Sequence, residues 1–129
     1  MKAYLAPWSP QLLSILRIVT GFLFVAHGTQ KWLGFPVARA APTEFWSTTG
    51  ISGALELVGG ALMLVGLFTR PVAFILSGLM AFAYFLAHAP EGFWPIVNLG
   101  ELSALYSFLF LYFAAAGGGP WSIDAWRKG

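Results

Sequence analysis

The sequence predicts an all-α integral membrane protein: a four-helix bundle of up-down-up-down topology with both termini in the cytoplasm. Three observations carry that expectation. Hydrophobic residues make up 58% of the 129 residues and charged residues only 9%, where soluble domains carry about 25% charge. Four apolar stretches, separated by Gly- and Pro-rich connections, are each long enough to cross about 30 Å of hydrocarbon. Lysine and arginine are divided unequally between the two sets of connections.

The composition also excludes. Seven basic and five acidic side chains cannot cover the surface of a soluble fold of this size, which removes ordinary globular enzymes, disordered segments and nucleic-acid binders. A net charge of +2 is too weak to imply an electrostatic partner. With no cysteine in the chain, disulfides, thiolate metal sites, iron–sulfur clusters and Cys-based redox catalysis fall away.

The chain reads as a single transmembrane domain over residues 1–129. Its first span covers about residues 12–33. Arg17 interrupts this run, and Ala38-Arg39-Ala40 lies too far downstream for a cleaved secretory signal. The second span covers about 51–68. Thr69-Arg70-Pro71 is a tight turn that places proline at the start of the third span, 71–88. Pro90, Gly92 and Pro95 break the chain before the fourth span, 99–116, and Gly117-Gly118-Gly119-Pro120 stops it. Short connections make successive helices antiparallel neighbours.

Lys2, Arg70, Arg127 and Lys128 fall on one side of these spans, with Arg39 and the boundary residue Lys31 on the other. The side richer in Lys and Arg is the cytoplasm. Trp8, Trp121 and Trp126 flank that side, while Trp32, Phe45-Trp46 and Phe93-Trp94 flank the outer ends as an aromatic belt. The longest connection, residues 34–50, is expected to lie on the membrane surface.

Ionisable groups inside spans are costly and usually face a protein interior. His27, Gln30, Lys31, Glu56, Tyr84, His88, Asn98 and Glu101 all converge on the outer half of the expected bundle, and every span supplies at least one. His27 and Lys31 are i,i+4 neighbours, as are Tyr84 and His88. Arg17, Gly21, Phe24, Gly28 and Lys31 form one stripe of the first helix; Glu56, Gly60 and Met63 share a face of the second. A Lys31–Glu56 or a His27–Glu101 pair makes such charges tolerable. Arg17, apart from the rest, either snorkels to the cytoplasmic face or is a structural charge paired inside the bundle. Lys31 beside Trp32 also reads as an interfacial anchor, and His88 as a helix end near water. Phe24-Val25-Ala26-His27 and Phe85-Leu86-Ala87-His88 form a short internal echo, each followed by Phe-Trp and then a glutamate; chance in a Phe- and Ala-rich chain accounts for it as readily as a repeat.

A pocket of this composition suits a quinone, whose carbonyls seek His, Lys or Tyr donors at the membrane's edge. Two His and two Glu resemble a metal set in donor type, but no spacing matches a metal signature, so no metal site is expected. Haem ligation by His27 and His88 rests only on similar depth and is disfavoured. Proton relay or a small-solute pathway is a third option. No phosphate loop, nucleophile triad or dinucleotide fingerprint is present.

The stretches LLSILRIVTGFLFVAHGTQKWLG and ELVGGALMLVGLFTRPVA, and the tail GGGPWSIDAWRK, resemble the DoxX family of small four-helix bacterial membrane proteins. The likeness covers about residues 12–126, and its HG-x-QK and E-x-x-GG pieces are together specific. The family's polar signature falls on Arg17, Gly21, His27, Gly28, Gln30, Lys31, Glu56, Gly59, Gly60, Gly66, Arg70 and Asp124. The resemblance implies a multi-pass protein of the bacterial inner membrane. Relatives include membrane components of oxidoreductase systems, among them a thiosulfate:quinone oxidoreductase subunit, and proteins tied to redox stress or aromatic-compound resistance. The family has no agreed catalytic set, so no catalytic residue is carried over.

The function expected is therefore a membrane subunit of a quinone-linked redox system with a polar pocket in its outer half, whether or not the chain itself turns over substrate. A non-catalytic scaffold or anchor is the rival, and a small-solute transporter a weaker third. The expected partners are the lipid bilayer, a membrane or soluble redox protein, and further copies of the chain, with nucleic acid excluded.

Overall fold

The structure, a computed structural model, describes residues 3–129. Lys2, one of the charges that set the orientation, lies outside the described residues. The regular elements are all helical among the described residues: α1 Ser9–Leu33, α2 Thr48–Val65, α3 Thr69–Ala83, α4 Pro95–Asn98, α5 Glu101–Ala116 and α6 Ile123–Lys128. Three continuous helical stretches, Ala6–Leu33, Thr48–Val65 and Thr69–Glu91, are long and apolar enough to cross a membrane, and Glu101–Ala116 is apolar but shorter. The chain divides into two compact units, one running to Thr69 and adding Gly118–Gly129, the other Arg70–Gly117.

In the first unit α1 and α2 are antiparallel, packed backbone to backbone through glycine. A Cβ on Gly21 would lie 2.5 Å from the Leu64 nitrogen, one on Gly28 2.6 Å from the Leu57 nitrogen, and one on Gly60 2.7 Å from the Val25 nitrogen. Small residues permit this approach where no hydrophobic force draws helices together in lipid. The predicted stripe is the contact face: Arg17, Gly21, Phe24 and Gly28 are buried on α1, and Glu56, Gly60 and Met63 on α2.

Helix α2 opens on Ser47, whose Oγ accepts the Gly50 N–H at 3.0 Å, a standard N-cap. It ends three residues before the apolar run does. Gly66 is left-handed at φ 71, and its N–H and that of Leu67 bond back to the Met63 and Leu62 carbonyls, which terminates the helix. The connection, expected over 34–50, covers 34–47 because α2 starts at Thr48, and it folds back on the end of α1: Thr43 Oγ1 donates to the Lys31 carbonyl, and the Phe45 ring lies 5.6 Å from that of Trp32.

The tail returns to this unit. Ser122 caps α6, accepting the Ala125 N–H at 3.1 Å. The Asp124 carboxylate accepts the Phe68 and Thr69 N–H groups at 2.9 and 2.8 Å, so α3 receives its N-terminal cap from the far end of the chain. Burial by itself raises the Asp124 carboxyl, but the Thr69 and Phe68 donors and the Arg127 charge outweigh it and hold the group below its ordinary value. Arg127 in turn lies 5.5 Å over the Phe68 ring.

In the second unit α3 and α5 are antiparallel and pinned along their length. Ser77 Oγ donates to the Ser107 carbonyl at 2.7 Å, and Ser107 Oγ returns the bond to the Ser77 carbonyl at 3.0 Å. Arg70 donates to the Ala114 and Ala115 carbonyls at one end. At the other, the third span does not remain a regular α-helix to His88. Tyr84–His88 is a π-helical turn, in which the Ala89 N–H bonds to the Tyr84 carbonyl five residues back. The fourth span, expected from Leu99, begins as a helix at Glu101. Leu99 is left-handed at φ 61, and Asn98 Oδ1 takes the Gly100 N–H at 2.8 Å, so the chain is turned before α5 starts.

Candidate functional site

Lys31 stands in the last turn of α1 and reaches across to α2. Its Nζ lies 2.8 Å from Glu56 Oε1 and 3.0 Å from Ser52 Oγ. Ser52 and Glu56 are i,i+4 on α2 and so present both acceptors to one ammonium group. Glu56 is only 5% exposed, and a carboxylate so placed requires a charged partner. The pairing satisfies one carboxylate oxygen. The other, Oε2, and the nearby indole nitrogen Nε1 of Trp32 are buried and have no hydrogen-bond partner among the described residues. Gly53, on α2, lets the end of α1 approach closely: a Cβ there would lie 3.0 Å from the Lys31 Cβ and 3.1 Å from Trp32 Nε1. The end of α1 thus carries a buried, unused donor on Trp32, and the middle of α2 a buried, unused acceptor on Glu56, whose other oxygen is in the ion pair.

The other expected site residues are each placed within their own unit. His27 is exposed, edge-on to Phe24 at 6.3 Å, and lines with Gln30 and Pro36 a shallow recess of about 200 Å³. Tyr84, His88 and Asn98 are joined in the second unit: Asn98 Nδ2 donates to the Tyr84 hydroxyl at 3.2 Å and to the Gly92 carbonyl at 2.9 Å, and His88 Nδ1 bonds the Asn98 carbonyl at 3.0 Å. Glu101 is exposed in the first turn of α5, on a recess of about 360 Å³ lined by Pro95, Ile96, Leu99, Leu102 and Leu105. The histidines of the short internal echo therefore differ: His27 is on a regular helix, His88 on a π turn.

Arg17 is fully buried, so of its two readings the structure selects the interior one. Its partners are carbonyls. Nε donates to Gly118 at 2.9 Å, Nη1 to Met63 and Leu64 at 2.6 and 2.7 Å, and Nη2 to Trp121. Met63 and Leu64 belong to the last turn of α2, where carbonyls without an α-helical i+4 partner carry partial negative charge; that of Met63 accepts the Gly66 N–H as well. Ser14 accepts the Trp121 N–H at 3.1 Å, and a Cβ on Gly119 would lie 2.3 Å from Ser14 Oγ. The glycine run that reads as a helix stop is also the surface that fits around Arg17.

Ser52 and Trp32 were not among the expected site residues. Ser52 carried a signal, one turn before Glu56 on the same face. Trp32 carried none, because a boundary tryptophan reads as an interfacial anchor whether or not its N–H is used.

A family model described as DoxX matches residues 12–89. The chain is similar to a Haemophilus influenzae protein named only "Uncharacterized protein", 45% identical over 93% of both chains. It is similar to the Escherichia coli "Inner membrane protein YqjF", 29% identical over 85% of this chain and 87% of that one. It also resembles the Bacillus subtilis "Putative oxidoreductase CatD", 31% identical over 49% of each chain. No solved structure matches the chain.

Proposed function

The chain belongs to the DoxX family, and on that premise we propose that it is a multi-pass inner-membrane subunit of a quinone-linked redox system, with its quinone site at Lys31, Glu56 and Trp32. The observation that carries this reading is that the Trp32 N–H, next in sequence to Lys31, and the second oxygen of its partner Glu56 are each buried without a hydrogen-bond partner among the described residues. A quinone carbonyl accepts from such a donor, and a quinol hydroxyl donates to such an acceptor. The quinone supplies the electron chemistry when bound; these residues bind and orient it. A redox role is further supported by the name of the Bacillus subtilis relative, and the inner membrane by that of the Escherichia coli one.

Quinone titration of the full-length protein in lipid nanodiscs tests the reading, using decylubiquinone with wild type, Glu56→Gln, Trp32→Phe and His27→Ala. Wild type and His27→Ala are expected to bind alike. Trp32→Phe and Glu56→Gln should each weaken binding about tenfold, the worth of one buried hydrogen bond. Equal affinity in all four proteins, or none in wild type, overturns it.

One observation favours the scaffold reading instead. Two of the three Lys31 donors are taken by Glu56 and Ser52 within the α1–α2 pair, and the Arg17 hydrogen bonds all go to backbone carbonyls. A scaffold would lose stability, and no ligand affinity, in the same variants.

A further inference from the structure

The Tyr84–His88–Asn98 cluster has a polarity that its hydrogen bonds define. The partner of His88 Nδ1 is the Asn98 carbonyl, which can only accept. Nδ1 is therefore the protonated nitrogen, and in the neutral ring Nε2 carries the free lone pair. Tyr84 is fixed in the opposite sense. Its hydroxyl oxygen accepts from Asn98 Nδ2, and its own proton has no acceptor among the described residues. One residue, Asn98, only 3% exposed, thus holds a free donor and a free acceptor on neighbouring rings, whose centroids are 6.4 Å apart with planes 31° from parallel.

The backbone supports the same conclusion. Tyr84 and His88 begin and end the π-helical turn. Such turns change side-chain register relative to an α-helix and are frequent at functional sites. The surroundings are aromatic and open: Phe85 stands edge-on to Tyr84 at 5.4 Å, and Phe93 and Trp94, which follow the Gly92 carbonyl held by Asn98, are largely exposed.

We propose that Tyr84 and His88 form a binding site for a phenolic hydroxyl, its oxygen accepting from the Tyr84 O–H and its proton directed at His88 Nε2. The ligand class is a hydroxylated aromatic, either a lipid-borne hydroquinone or a water-soluble phenol. This site lies on the second unit and uses none of Lys31, Glu56 or Trp32, so it stands or falls separately from the quinone reading.

The test is calorimetric titration of the full chain in phosphatidylcholine nanodiscs with trimethylhydroquinone, its dimethyl ether, and catechol. Wild type should bind a free-hydroxyl compound at least tenfold more tightly than the ether, which has no proton to donate. Tyr84→Phe and His88→Gln should each remove most of that preference, with unchanged helicity. Gly78→Ala, at a position where an added Cβ meets nothing within 4 Å, should retain it. Preference for trimethylhydroquinone alone assigns the bilayer as the ligand's source, preference for catechol alone assigns the aqueous phase, and both together show that the site admits either. Binding of the ether as tight as that of both free-hydroxyl compounds, no binding at all, or full retention of the preference in Tyr84→Phe and His88→Gln overturns the proposal.

Discussion

Arg17 and His27 lie on the same helix, and the structure uses them in opposite ways. Arginine presents five donors in a planar fork, and around Arg17 that fork is filled by carbonyls from the end of α2 and from the tail. Removing it leaves buried acceptors unpaired, so Arg17→Met is expected to cost about 3–5 kcal/mol. Arg17→Lys should recover less than half, since one ammonium cannot reach all four carbonyls. Denaturant titration followed by circular dichroism measures both, and a Lys variant as stable as wild type would refute the fork argument. The Lys31–Glu56 pair was legible as one of two pairings, beside His27–Glu101, because an intramembrane carboxylate demands a cation and both candidates sat at matching depths. Arg17's partners were not, because a backbone carbonyl looks the same at every position of a sequence. His27 shared a face with Lys31 by helical phase, yet only Lys31 turns to α2. Four methylenes let an ammonium bend across a helix face, while a short imidazole stays where its Cβ points.

At the scale of elements, the glycines separate into those that packing requires and those it does not. Gly60→Ala would force its Cβ to 2.7 Å from the Val25 backbone, whereas a Cβ on Gly78 would meet nothing within 4 Å. Thermal unfolding should therefore show Gly60→Ala destabilised by about 1–3 kcal/mol and Gly78→Ala unchanged or slightly stabilised. The α3 cap makes a pH-dependent prediction. Asp124 titrates below its ordinary value when folded, so its stabilisation is present above the unfolded-state value and is lost as pH falls through the folded one. Asp124→Ala should cost about 1 kcal/mol at neutral pH, and its deficit relative to wild type should vanish at pH values below the ordinary aspartate range. A deficit that persists unchanged into strong acid would mean that the carboxylate is not the cap. Helix existence was readable from apolar length. The π turn at Tyr84–His88 was not, because an added residue per turn leaves composition untouched and changes only register.

For the whole molecule, the orientation with both termini in the cytoplasm is a proposal that rests on charge placement. The chain has no cysteine, so single substitutions can be labelled without background. Thr48→Cys and Lys128→Cys are both at exposed positions. An impermeant maleimide should label Thr48→Cys from outside intact cells and Lys128→Cys only in inverted vesicles; the reverse pattern would invert the topology. Composition and periodicity by themselves determined that the chain lives in a bilayer, roughly where its apolar helices lie, which residues of α1 share a stripe, and that Glu56 needs a partner, Lys31 being one candidate. Those properties follow from solvation and from helix geometry, both of which are written in residue type and spacing. Tertiary structure alone decided that Arg17 is held by carbonyls, that the glycine tail closes around it, that Asp124 caps a helix begun 55 residues earlier, and that Asn98 sets the polarity of Tyr84 and His88. Each of these depends on backbone groups brought close from distant parts of the chain, and a backbone group has no letter of its own in the sequence.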